Sequence, residues 1–296
     1  MGQLRLGHIV VIVVCLVAGL AVLSVAAGTL VGGGPAPVPT PTPTVDMVAQ
    51  ARRVAAEGLP KANDFGCRPR ESTPYPVVLV HGARSNGAAT WPVAVPYLDK
   101  QGYCVFALDY GWSNSIKESA RTLGTFVDGV LQATGAEKVA IVGHSLGGIV
   151  PRAYMRLEGG AGKVAELITL GAPHHDLTGE LAESCGGETV CGELRPGSPL
   201  MRELNEPSMV EPGVSYTALG LRAEQEIAST FVEGPRKQVT NRMLQDDCPF
   251  KGLVEGAVGH NLETLDPVML SYVNKALEAP GPMPGDYRPD CFALII

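Results

Sequence analysis

The sequence predicts an α/β domain: a mostly parallel central sheet with helices on both faces and a lid-like insertion. Short continuous apolar runs at 76–80, 104–108 and 138–142 have the length and β-branched content of strands buried on both faces. Segments of helical spacing alternate with them, above all 115–133, and such alternation implies parallel crossovers. The third run stops at Gly143-His-Ser-Leu-Gly147, where the chain must pass from strand to helix around a single serine.

Residues 1–27 read as a secretory signal. Arg5 precedes an apolar core over 9–23, and the small residues Ser24-Val-Ala-Ala-Gly28 offer cleavage after Ala26 or Ala27. The alternative is a retained anchor, because 9–30 is nearly long enough to span a bilayer. Residues 28–44 are rich in Gly, Pro and Thr, cannot bury a core, and favour extended polyproline geometry as a linker. The remainder, 45–296, is expected to be one catalytic domain.

That domain opens on a helix over 46–57. The strand at 76–80 leads into His81-Gly-Ala-Arg-Ser-Asn-Gly87, a short helix is expected around 91–100, and a strand follows over 104–108. Asp109 ends that strand and reads as a turn cap. His81 reads as a side chain that braces its turn. After the serine, 146–157 has the spacing of a helix whose polar side is Arg152, Arg156 and Glu158. A strand over 166–170 then closes on Gly171-Ala-Pro-His-His-Asp176, where His174 and His175 read as pocket-lining residues. Residues 177–213 lack sustained periodicity and are expected to be an excursion over the pocket. Strands over 214–219 and 238–244 and a helix over 266–277 complete the order.

The composition excludes one class of partner. With 45% apolar and 18% charged residues, a net charge of −7 and no Lys/Arg-rich cluster, the chain lacks the electrostatic footprint of a nucleic-acid binder. Of seven cysteines, Cys15 falls in the leader segment. Cys67, Cys104, Cys185, Cys191, Cys248 and Cys291 form an even set, as in exported disulfide-bonded chains; six cysteines allow about 15 pairings and the sequence does not choose among them, the preferred one being Cys67–Cys104, Cys185–Cys191 and Cys248–Cys291. No C-x-x-C occurs, so neither a metal site nor a cofactor is expected.

Chemistry concentrates at Ser145. A serine hydroxyl is a poor nucleophile at neutral pH and needs a histidine to take its proton and a carboxylate to hold that histidine. In the chain order nucleophile, acid, base, His260 fits the last place, in a Gly-flanked loop ahead of the closing helix. Glu224 fits the middle place, with Glu226 its nearest competitor. The N–H groups of Ala83 and Leu146 are placed to form an oxyanion hole.

Taken together, His81-Gly82, Gly102-Tyr-Cys-Val-Phe-Ala-Leu-Asp-Tyr-Gly111, Gly143-His-Ser-Leu-Gly-Gly148, Leu244-Gln-Asp-Asp-Cys-Pro249 and His260 resemble the secreted bacterial class 2 triacylglycerol lipases of the α/β-hydrolase fold. The similarity runs over about 45–278. It implies Ser145 as nucleophile, His260 as base, Ala83 and Leu146 as oxyanion donors, and ester hydrolysis without a metal. One departure stands out: where the family carries an aspartate in a Tyr-Asp-Glu-like stretch, this chain has Ala223-Glu-Gln225, so the acid would be Glu224.

The expected protein is therefore a secreted, monomeric lipase or carboxylesterase acting through an acyl-enzyme, with lipid or small-ester substrates and contact with a lipid interface. An acyltransferase using the same three residues is one alternative. The other is an inert hydrolase-fold binding module of the cell envelope.

Overall fold

The computed structural model describes residues 47–178, 187–222, 230–251 and 256–293, with the chain from Val45 onward forming one compact unit. The expected signal and linker, Cys185, Glu224 and Glu226 lie outside the described residues. The chain begins with α1 (Met47–Arg53), β1 (Val77–Val80), α2 (Gly87–Thr90), α3 (Ala94–Gln101), β2 (Val105–Leu108) and α4 (Ile116–Thr134). It continues through β3 (Val139–His144), α5 (Ile149–Leu157), β4 (Val164–Leu170), α6 (Thr189–Glu193), α7 (Pro199–Asn205) and β5 (Ser215–Gly220). The last elements are β6 (Val239–Met243), α8 (Leu244–Asp247), α9 (Gly256–Leu262) and α10 (Pro267–Leu277).

The six strands form one all-parallel sheet in the order β2-β1-β3-β4-β5-β6. Every residue of β1, β2 and β3 is buried. Alternate residues serve opposite faces, as the pleat requires. Val78, Val80, Phe106 and Ile141 pack with Leu123, Phe126 and Val127 of α4 and Ile149 of α5, whereas Val77, Leu79, Val105 and Val142 pack with Leu98 of α3 and Leu270 and Val273 of α10. Continuous apolar runs thus mean a sheet with two covered faces.

Local signals set the helix ends. Ser115 accepts the Glu118 N–H while Glu118 accepts the Ser115 N–H, a reciprocal cap that starts α4 at Ile116. Asp266 caps α10 through the Val268 and Met269 N–H groups, with Pro267 in the first turn. The helix expected around 91–100 is divided: α2 ends before Trp91 and α3 begins at Ala94. Pro92 explains the break, since it lacks an N–H and disfavours helical geometry in the residue before it.

Two expectations are corrected. Arg152 does not lie on a polar helix face; it is only 3% exposed. Its guanidinium donates to the carbonyl of Leu204 at 2.7 Å, Oδ1 of Asn205 at 2.8 Å and the carbonyl of His174 at 3.4 Å. Those acceptors offset the desolvation of a buried charge. They also fasten α7 to α5, assisted by Arg156, which binds the Ser208 carbonyl at 2.7 Å. The described part of 177–213 is accordingly not aperiodic: it carries α6 and α7, and Val190, Leu194, Met201 and Leu204 join the core.

Cys67–Cys104 and Cys248–Cys291 are disulfide-bonded, as the preferred pairing expected. No helix among the described residues is long and apolar enough to cross a membrane.

Glu166 of β4 is 6% exposed and accepts the Thr217 hydroxyl at 3.1 Å. Burial pushes its carboxyl up to about 8. Because the folded state holds this proton more tightly than the unfolded chain, Glu166 weakens the fold progressively as pH rises from about 4.5 to about 8. Glu166→Gln is expected to raise the urea midpoint at pH 8 and to flatten its decline between pH 5 and 8; an unchanged slope would contradict this assignment.

Candidate active site

In the sheet, β1 and β3 are neighbours, yet the chain leaves β1 toward β2 on one side and leaves β3 toward β4 on the other. Such a reversal opens a crevice at the C-terminal ends of the two strands. The loops after β1 and β3 both arrive there.

After β3 the chain enters a single 3-10 turn, Ser145–Gly148, before α5. From Val139 to Met155 every residue is buried except Ser145, which is half-buried. Its φ is +55°, a left-handed conformation that costs a non-glycine residue on the order of 1–3 kcal/mol. Packing maintains it. A Cβ on Gly143 would lie 2.1 Å from the Gly147 carbonyl oxygen, and one on Gly147 would lie 2.1 Å from the Val80 carbonyl oxygen. Only glycine allows this turn to close against β1, and the closure turns the serine side chain outward. Leu146, in the first turn of the 3-10 segment, has an N–H without an intrahelical acceptor.

The loop after β1 runs beside the serine: a Cβ on Gly82 would sit 2.9 Å from Ser145 Cβ. Ala83 follows at the exposed surface. His81 is fully buried and stacks on Tyr110 with centroids 4.4 Å apart. Its Nδ1–H donates to the Gly82 carbonyl at 2.9 Å, which leaves Nε2 to accept the Tyr110 N–H at 3.4 Å. Tyr110 returns a hydroxyl bond to the His81 carbonyl at 2.8 Å. Burial holds the His81 imidazole below its ordinary range, opposed by the Gly82 contact and by Asp109. Asp109 accepts the Gly87 N–H at 2.6 Å and so ties β2 to the start of α2.

His260 lies in α9, not in an open loop. The stretch 256–262 is short and small-residue-rich, which is why periodicity missed the helix. The ring of His144, adjoining Ser145, meets His260 at 4.5 Å between centroids. Its Nε2–H donates to the His260 carbonyl at 3.0 Å, anchoring α9 to the strand that carries the serine. Burial, reinforced by His260, pushes the His144 imidazole down to about 3, so it is neutral.

Sequence reasoning missed Glu263. Its side chain is fully buried, with Oε2 3.5 Å from His260 Nδ1 and 3.8 Å from His144 Nε2. The available signal was an acid three residues after a histidine, between Leu262 and Thr264. Donor atoms of His144, His260 and Glu263 lie within 4.8 Å of one another, within the reach of a metal ion. His144 Nε2, however, offers a proton to the His260 carbonyl and not a lone pair.

The paired histidines after β4 have separate fates. His174 is fully buried, not pocket-lining, with Nε2 3.0 Å from the Thr169 hydroxyl, and desolvation holds it well below its ordinary value. His175 is partly exposed, with Nε2 4.0 Å from Glu233.

Comparison with known proteins agrees with this architecture. A family model described as the alpha/beta hydrolase fold matches residues 75–183. A triacylglycerol lipase of Pseudarthrobacter phenanthrenivorans is 33% identical over 111 residues, covering 35% of this chain and 34% of that protein. One from Burkholderia plantarii is 33% identical over 111 residues, covering 35% of this chain and 30% of its own. The chain thus spans about a third of the length of these relatives. Aspergillus fumigatus lipase B superposes with a TM-score of 0.63 at 16% identity, covering 79% of this chain and 58% of that one. The chain has the α/β-hydrolase fold, with distant similarity to triacylglycerol lipases.

The contacts at the turn yield a direct expectation. Gly147→Ala drives a methyl group into the β1 backbone and should lower unfolding stability by about 1–3 kcal/mol. A melting curve that matches that of the parent would refute the role given to this glycine.

Proposed function

We propose that the protein is a secreted serine ester hydrolase, a lipase or carboxylesterase, that cleaves carboxylic esters through an acyl-enzyme. The observation that carries this reading is Ser145: half-buried within an otherwise buried stretch, at φ +55°, on a glycine-closed turn at the C-terminal edge of a parallel sheet. Such strain, retained where the rest of the segment is regular, marks functional positions. Distant likeness to triacylglycerol lipases supports an ester as substrate. The disulfides Cys67–Cys104 and Cys248–Cys291 suit an oxidising, extracellular destination.

In this reading Ser145 Oγ attacks the ester carbonyl carbon while His260 takes the hydroxyl proton. The N–H groups of Ala83 and Leu146 receive the negative oxygen of the tetrahedral intermediate, where each such donor is worth roughly 3 kcal/mol. Collapse breaks the bond to the alcohol, which leaves with the proton from His260. Water, deprotonated by the same imidazole, then releases the acid and restores the serine. Chain order alone gives the place of the carboxylate to Glu224, which lies outside the described residues. The chemistry calls for no metal or cofactor.

Ser145→Ala should abolish ester turnover and fluorophosphonate labelling while leaving the circular dichroism spectrum and melting temperature close to those of the parent. Turnover surviving in that variant would end the proposal. A graded series of ester lengths separates the two substrate classes: a rate that climbs once the ester forms an interface indicates a lipase, and turnover confined to soluble short esters indicates a carboxylesterase.

A further inference from the structure

We propose that Glu263 is a positioning residue for the reaction, the carboxylate that meets His260 Nδ1 and holds the imidazole so that its other nitrogen faces Ser145; this rests on the hydrolase reading. Chain order assigns the acid to the segment after β5. Glu263 would take that place instead of Glu224, from three residues beyond the base itself.

Three observations converge on it. Oε2 of Glu263 is 3.5 Å from His260 Nδ1, nearer than its 3.8 Å to His144 Nε2. The side chain is fully buried, so its attraction for an imidazolium formed during turnover acts with little screening by water. The backbone is also cut away to receive the pair. Gly171, at the end of β4 with φ +56°, would carry a Cβ only 2.2 Å from Glu263 Oε2 and 2.8 Å from both Nδ1 and Cε1 of His260. Gly171 is itself fixed by its N–H to the Leu219 carbonyl at 2.9 Å, so β4 and β5 together form the floor under the two side chains.

His144 serves a different purpose. His144 already donates Nε2–H to the His260 carbonyl at 3.0 Å and holds the backbone of the base, not its ring nitrogen. An imidazole with Nδ1–H directed at a carboxylate is kept in the tautomer whose Nε2 accepts a proton from serine. Glu263 would stabilise the positive ring after that transfer without itself taking the proton.

The test is steady-state hydrolysis of a soluble short-chain nitrophenyl ester by the full chain. Rates are expressed per active site, and sites are counted by fluorophosphonate titration of Ser145. Glu263→Gln is expected to lower kcat per titrated site by about 10²–10⁴-fold, the range seen when a triad acid loses its charge, with KM within about threefold of the parent. Glu263→Asp should restore part of the rate. A purely structural Glu263 would reduce the number of titratable sites and leave the rate at each unchanged, and that result overturns the proposal. Should Glu263→Gln not fold, Glu263→Asp decides: a drop of about tenfold per site supports the role, and an undiminished rate removes it. If Ser145 of the parent chain takes no label, the hydrolase reading falls and this inference with it. Normal labelling of the parent with undiminished rates in the Glu263 variants removes the inference alone.

Discussion

The site depends on one close approach of backbone to backbone. The chain at Gly147 lies so near β1 that a single added carbon would fall 2.1 Å from the Val80 carbonyl, and Gly143 and Gly147 face each other with equally little room. That proximity holds Ser145 at φ +55°, half-buried where the residues on either side are buried. The strain is sustained because the elements on either side are buried: β3 inside the sheet, and α5 from Ile149 to Met155, which packs against α4 and β3. A sheet with only one covered face would hold this turn less firmly, and the apolar runs of β1, β2 and β3 supply both faces at once.

Around the serine, buried imidazoles act as braces. His81 is locked by Tyr110 and its own loop, His144 by the carbonyl of His260, and His174 by Thr169. Desolvation keeps each of the three below its ordinary range and therefore uncharged near neutrality. A neutral ring can give one proton and accept another, which suits it to joining loops without burying charge. Arg152 does bury charge. Its cost is offset by carbonyl and amide oxygens from α7 and the loop after β4, so the segment that follows β4 is fastened to α5 from beneath.

Much of this was legible in the linear order of residues. The strand positions came from β-branched runs, the start of α4 from Ser115 and Glu118, and the turn at Ser145 from its glycines. Each signal is local: it reflects a few neighbouring residues whose own sterics or hydrogen bonding limit the backbone. Arg152 was misread for the complementary reason. Helical spacing places it beside Arg156 on a polar stripe, and nothing within the helix announces that α7 will fold over that stripe with two oxygen acceptors, joined by a third from the loop after β4. The helix around His260 was missed because its small residues provide no apolar period.

The sequence alone therefore determined the layered α/β architecture and the place of Ser145 at a strained turn, since apolar patterning and glycine sterics act within a few residues. Tertiary structure decided what surrounds His260. Glu263 lies only three residues from His260, but the ring of His144 and the gap left at Gly171 come from β3 and the end of β4, and their separation in the chain gives no hint that they meet there. Electrostatic environment is set by burial and by distances across the fold, so it exists only once the sheet has brought those ends together.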